Sequence, residues 1–201
     1  MVVISQVLLC CDPAFFGVEL KSMRRLATTL LISAGILAGC SAPAPKATAG
    51  AEALGTRLTT MDDLVDWIRD NAGDCADVSR RDPAELRTFV GPDIAARFQP
   101  HVSEWATCRV SPEFPVVGLF LFTGDEQRRF QESWHSAMTA GRIADGPAFA
   151  FGNGFAISAG FLGVGELGLY YFRCGSLDPR VHQVPADVAG CVFANPEHGH
   201  H

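Results

Sequence analysis

The chain has 201 residues, 48% of them hydrophobic, and its 16 basic side chains face 22 acidic ones for a formal net charge of −6. That balance opposes nucleic-acid binding, which needs clustered Lys and Arg to displace counterions from phosphates. It equally opposes adhesion of the protein surface to anionic lipid.

Residues 1–22 carry Asp12 and Glu19, and their apolar patch over 2–9 lies far upstream of any export signal. Met23 is the better start, so 1–22 reads as an over-extended reading frame in which Cys10 and Cys11 have no role. Lys21, Arg24 and Arg25 then precede a run over 26–39 that is apolar or small throughout, with Leu30, Leu31, Ile32, Ile36 and Leu37 its greasiest members. A basic start, an apolar stretch of about 7–15 residues and small residues at the cut describe a secretory signal peptide. A bilayer-spanning helix wants about 20 predominantly apolar residues. This run stops at Cys40, with Ser41, Pro43 and Pro45 behind it.

Leu37-Ala38-Gly39-Cys40 resembles the lipobox of bacterial lipoproteins. The resemblance implies a signal peptide over 23–39, cleavage before Cys40, and a diacylglycerol on the Cys40 sulfur. The mature protein is then held at the extracytoplasmic face of the cell membrane through acyl chains. One chain gives only marginal, reversible residence, at about 0.8 kcal/mol per buried methylene, whereas two or three on one cysteine hold firmly. Without residues 1–39 the chain loses three basic and two acidic residues, leaving a mature charge of −7.

Residues 41–59 contain Pro43, Pro45, Gly50 and Gly55 among many Ala and have no sustained apolar period, so 40–59 reads as the lipidated cysteine and a flexible linker. A domain is expected over 60–195. Thr60 with Asp63 forms a variant capping box, and Met61, Leu64, Val65 and Ile68 recur at helical spacing, which predicts an amphipathic helix ending near Gly73. Asp62, Asp66 and Asp70 on its other face read as a solvated stripe. Asp82-Pro83-Ala84-Glu85 starts a second helix through Leu86, Phe89 and Val90. Gly91-Pro92 breaks it, and a short segment over 94–98 resumes it.

Trp105 and Cys108 lead into a first strand, and the apolar run 116–122 between Pro115 and Gly124 predicts a buried one. Thr123 with Glu126 caps a third helix, with Phe130, Trp134, Ala137 and Met138 on one side and Asp125, Gln127, Arg128, Arg129 and Glu132 facing water. Residues 148–151 and 155–158 around Gly152-Asn153-Gly154 read as a hairpin, since Asn-Gly accepts the positive φ of tight turns. Residues 167–172 suit a strand or a short helix, 174–191 a loop containing proline, and 196–201 a disordered tail.

Setting aside Cys10, Cys11 and Cys40 leaves Cys75, Cys108, Cys174 and Cys191, an even number that reads as two disulfides in an oxidising compartment. Of three connectivities, Cys75–Cys108 with Cys174–Cys191 is favoured because each pair brackets one local unit. Helices and short strands in mixed order make the domain α+β, with an antiparallel or mixed sheet and about three helices.

The layout of lipobox, short linker, helix leading to Cys75, Cys108 opening a strand, apolar strand, capped helix and Gly-Asn-Gly hairpin resembles small envelope lipoproteins of high-GC Gram-positive bacteria over residues 23–158. The part from Gly160 to Cys191 departs from that pattern. The resemblance implies an envelope lipoprotein and no particular activity.

No motif adds chemistry. Gly163-Val164-Gly165-Glu166-Leu167-Gly168 matches a dinucleotide-binding pattern, yet Cys174 and Gly175 leave too little room for the helix that motif must open, so Gly-rich turns are expected instead. Neither Gly-x-Ser-x-Gly nor Ser-x-x-Lys occurs. His101, His135 and His182 are the candidate bases of a dispersed hydrolase site, and each reads more simply as a surface or core histidine. Glu197, His198, His200 and His201 at the terminus read as adventitious metal ligands at most. Phe149, Phe151, Phe155 and Phe161 would serve an apolar-ligand carrier, although core packing accounts for them more simply. The expectation is therefore a lipid-anchored binding or structural module of the envelope with no catalytic residue, metal or cofactor assigned. Its partners are the membrane and an envelope protein or small ligand, and the alternatives are a hydrolase or a carrier.

Overall fold

Every residue of the run from Val117 to Phe122 is buried, and the two alternating sets of side chains enter different cores. Val117, Leu119 and Leu121 point to one side of the sheet and Phe120 and Phe122 to the other. A strand flanked by apolar layers on both faces has no reason to alternate with polar residues, which is why the run is continuous. The computed structural model describes residues 52–143, 148–175 and 177–196. Cys40 and the terminal Glu197, His198, His200 and His201 lie outside the described residues, as do the signal segment and the upstream stretch.

In chain order the elements are α1 (Met61–Ala72), β1 (Ala76–Arg80), a 3₁₀ turn (Pro83–Glu85) running into α2 (Leu86–Val90), α3 (Pro92–Phe98), β2 (Val102–Arg109), β3 (Val117–Phe122), α4 (Glu126–Thr139), β4 (Ala150–Gly152), β5 (Phe155–Ile157), α5 (Gly160–Gly165), β6 (Tyr171–Cys174), β7 (His182–Pro185) and β8 (Cys191–Asn195). Five strands form an antiparallel sheet in the order β1-β2-β3-β5-β4, and three more form a second in the order β6-β8-β7. One bridge between Phe151 and Tyr170 joins the edge of the first sheet to the strand leading into the second. The fold is α+β with antiparallel sheets.

α1 begins where its cap predicts: Thr60 is extended and its hydroxyl accepts the Asp63 amide at 3.1 Å, and Gly73 at φ 84° ends it. Its apolar stripe of Met61, Leu64, Val65 and Ile68 packs on one face of the sheet with the Cys75–Cys108 bridge and α5. The other face carries α3 and α4 over an aromatic core in which Phe98 lies 4.5 Å from Phe130 and 5.1 Å from Phe120, ring centre to ring centre. The bridges are Cys75–Cys108 and Cys174–Cys191.

Several local expectations change. β1 is a strand where none was predicted, because as an edge strand it alternates weakly and exposes most of its side chains. The third helix has its cap at Asp125, which makes no side-chain capping bond, and Thr123 contributes only its carbonyl to the Glu126 amide. Gln127, expected in water, is 6% exposed. Of the two central residues of the hairpin turn only Gly154 takes a positive φ, 87°. The segment 54–58, within the stretch read as linker, is held to the domain: Leu54 is buried, the Leu58 amide donates to the Asn153 carbonyl at 3.1 Å, and the Arg57 guanidinium donates to the Gly124 carbonyl at 2.7 Å. The loop expected between Cys174 and Cys191 contains β7, whose pairing with β8 completes the small sheet.

Candidate functional site

Where the sheet runs out from under α2, three depressions adjoin along the β1–β2 face, with volumes of about 120, 370 and 180 Å³. Arg81 lines all three. The largest lies between α2, the inner face of β2 and the residue preceding β3, and Phe89, Trp105, Thr107 and Val116 form its walls. At about 370 Å³ it falls within the size range of small-ligand sites.

Each wall has a local cause. Asp82 caps the 3₁₀ turn through its carboxylate, which accepts the Ala84 amide at 2.7 Å, and its carbonyl accepts the Trp105 indole N–H at 2.9 Å. That pair of bonds fixes the turn against β2 and sets α2 over the sheet. Phe89 can then lie across β3 because residue 118 is glycine: a Cβ there would stand 2.5 Å from the Phe89 ring. The Phe89 ring packs on Trp105 at 5.4 Å. Val116 remains 58% exposed at the rim.

Three arginines surround the groove, each bonded through two of its three nitrogens among the described residues, and the bonds of Arg81 are the longest. Arg80 donates to both Glu104 and Asp62, and Arg109 forks onto Asp77 through Nε and Nη2 at 3.1 and 2.9 Å. Arg81 is held from behind, its Nε 3.4 Å from the hydroxyl of the buried Thr107, and its Nη1 donates to Glu85 at 3.2 Å. Among the described residues its Nη2 donates to none. The groove therefore presents an apolar wall beside a guanidinium with an unused edge. Sequence reasoning missed it. Arg80-Arg81 before the Asp82-Pro83 turn was the only signal, and nothing in the order of residues announces that β2 will pass beneath.

The histidines go to three different places. His101 is mostly buried, its Nδ1 2.9 Å from a Glu126 oxygen, and Arg129 donates to the other oxygen of Glu126 at 2.8 Å. The hydrogen bond with His101 holds the Glu126 carboxyl below its ordinary range, burial opposes the shift, and the Arg129 charge adds to it. Among the described residues no hydroxyl or thiol hydrogen-bonds to His101. His135 is half-buried on α4, and His182 is exposed on β7 with its ring 5.9 Å from that of Tyr170. The three are not brought together.

Two of the helix aspartates have cationic neighbours, Asp62 with Arg80 at 2.7 Å and Asp66 with Arg69 at 3.0 Å. Phe149, Phe151 and Phe155 are core residues, and only Phe161 stands out, at 75% exposure. In the dinucleotide-like segment, Gly163 lies in α5, where a Cβ would stand 2.2 Å from that of Ala150, so the glycine lets the helix sit directly on β4. Compared with protein-family models, with curated proteins and with solved structures, the chain matches none of them.

Proposed function

We propose that the protein is a lipid-anchored, extracytoplasmic binding module of the cell envelope. The observation that carries this reading is Leu37-Ala38-Gly39-Cys40, placed directly behind Lys21, Arg24, Arg25 and the apolar run 26–39. Cys40 is its lipidation site, with acyl chains supplying the attachment that an acidic surface does not. The four cysteines of the domain support an oxidising location, since all of them are joined in disulfides, a form that cytosolic thiols seldom keep. The groove at Arg81 is the part of the described domain suited to receive a partner, as it combines concavity, an apolar wall and a guanidinium nitrogen that donates to none of the described residues.

Intact-mass measurement of the protein from the membrane fraction tests the anchor. The expected species begins at Cys40, carries the mass of at least a diacylglyceryl group, and lacks four hydrogens for its two disulfides. Cys40→Ala should leave the signal peptide attached and the lipid absent. Recovery of an unmodified thiol at position 40 in a chain that retains residues 23–39 overturns the reading.

A further inference from the structure

We infer that the groove at Arg81 binds the C-terminal end of a peptide whose last residue is apolar, with the terminal carboxylate on the Arg81 guanidinium and the last side chain against Phe89, Trp105 and Val116. The inference rests on the reading of this domain as a binding module and names what it binds.

Three observations lead there. First, Arg81 is pre-positioned and under-used: Thr107 fixes its Nε side, and the Nη2 edge has no acceptor among the described residues. A carboxylate is the group that matches such a fork, taking two parallel N–H donors at once. Among the described residues Glu85 is its only charged neighbour in contact, through a single 3.2 Å bond on the exposed surface, a type of pair that contributes little. An incoming carboxylate can displace or share it. Second, the wall beside the guanidinium is apolar and includes Val116, one of the few large hydrophobic side chains left open to solvent among the described residues. A carboxylate and an apolar group side by side are what the last residue of a peptide offers, and capture of a C-terminal carboxylate is a recurrent mode of peptide recognition. Third, the site is elongated. Arg81 is shared with a depression on each side, and one of these presents Ser79 and Arg109, whose Nη1 has no acceptor among the described residues. Such donors suit the carbonyls of preceding residues, and the trench is longer than one apolar acid needs.

The test is titration of the full chain with acetyl-Ala-Ala-Phe, its C-terminal amide and N-acetyl-phenylalanine, followed by two-dimensional NMR at the Trp105 indole and the Thr107 amide. The tripeptide acid should shift both signals and saturate. The amide should bind about tenfold more weakly or worse, because it loses the charge-assisted bonds, and N-acetyl-phenylalanine should be weaker than the tripeptide. Glu85→Gln, on the surface and outside every core, should tighten the tripeptide about threefold by removing the competing carboxylate, whereas Arg81→Gln should abolish binding. Equal binding of acid and amide, equal binding of N-acetyl-phenylalanine and the tripeptide, or no shift at millimolar peptide overturns the inference. Because the Cys40 mass is measured separately, loss of the anchor with binding intact sinks only the anchoring, and the reverse result sinks only the peptide site.

Discussion

Gln127 shows how one side chain can tie a helix to a distant hairpin turn. From the first turn of α4 its amide nitrogen donates to the Gly152 carbonyl at 2.7 Å and its amide oxygen accepts from the Gly154 amide at 2.8 Å, so it clamps the β4–β5 turn from beneath. Gln127→Ala leaves a buried acceptor and a buried donor unsatisfied and should destabilise the fold by about 2–4 kcal/mol, read from urea unfolding. Gly163→Ala is a different kind of test. The added methyl meets the Ala150 Cβ at 2.2 Å, and the overpacking should cost about 1–3 kcal/mol in the same assay. Glu126 supplies a pH dependence. Its folded-state pKa is depressed, chiefly by the His101 hydrogen bond, so its contribution is fully present above the ordinary carboxylate value and disappears as the pH falls through the lower folded value. Thermal unfolding of the wild type against Glu126→Gln should show a gap near pH 6 that narrows steadily below about pH 4.5. A gap that stays constant to pH 2 refutes the assignment.

At the scale of elements, α1 followed its local chemistry most faithfully, whereas α5 forms where Gly-rich turns were expected. α1 was legible from end to end because both its caps and its apolar stripe lie within about fourteen consecutive residues, Thr60 to Gly73. Thr60→Ala should therefore lower stability by about 1 kcal/mol through the lost cap, measured by denaturant titration. β3 was legible as a continuous apolar run. β1 was not, since an edge strand need bury little, and only its pairing with β2 makes it a strand at all. The burial of Gln127 escaped detection for a related reason: it depends on where the β4–β5 turn comes to rest, 25 residues further on in the chain. A glutamine facing a distant backbone carries the same letter as one facing water.

Across the whole domain, the disulfides tie regions that differ in how much chain they close. Cys75–Cys108 spans 33 residues and Cys174–Cys191 spans 17. By loop-closure entropy, removing the first pair by double Cys→Ser substitution should cost about 4 kcal/mol and the second about 3 kcal/mol. Equilibrium unfolding of the two variants checks the order, and a larger loss for the shorter loop would contradict it. The longer bridge lies in the core beneath α1, while the shorter one joins β6 to β8 in register. Each joins elements that already neighbour one another, which is why pairing by local unit was the right choice among the three connectivities.

The anchor reading and the α+β class rest on features contiguous in the chain: a basic start, an apolar run and a small-residue motif ending in Cys40, then caps and periodicities a few residues long. Physics acts on those patterns locally, so the order of residues alone determined the α+β class and alone carries the proposed anchor. The groove belongs to the other class. Arg81 and Glu85 come from one turn, Thr107 and Trp105 from a strand more than twenty residues later, and Val116 from the approach to the next. Their meeting depends on the antiparallel register of β1, β2 and β3 and on the glycine at 118 that admits Phe89. Only tertiary structure decided it, because long-range pairing is set by which faces must be buried together and leaves no periodicity at any one of the contributing residues.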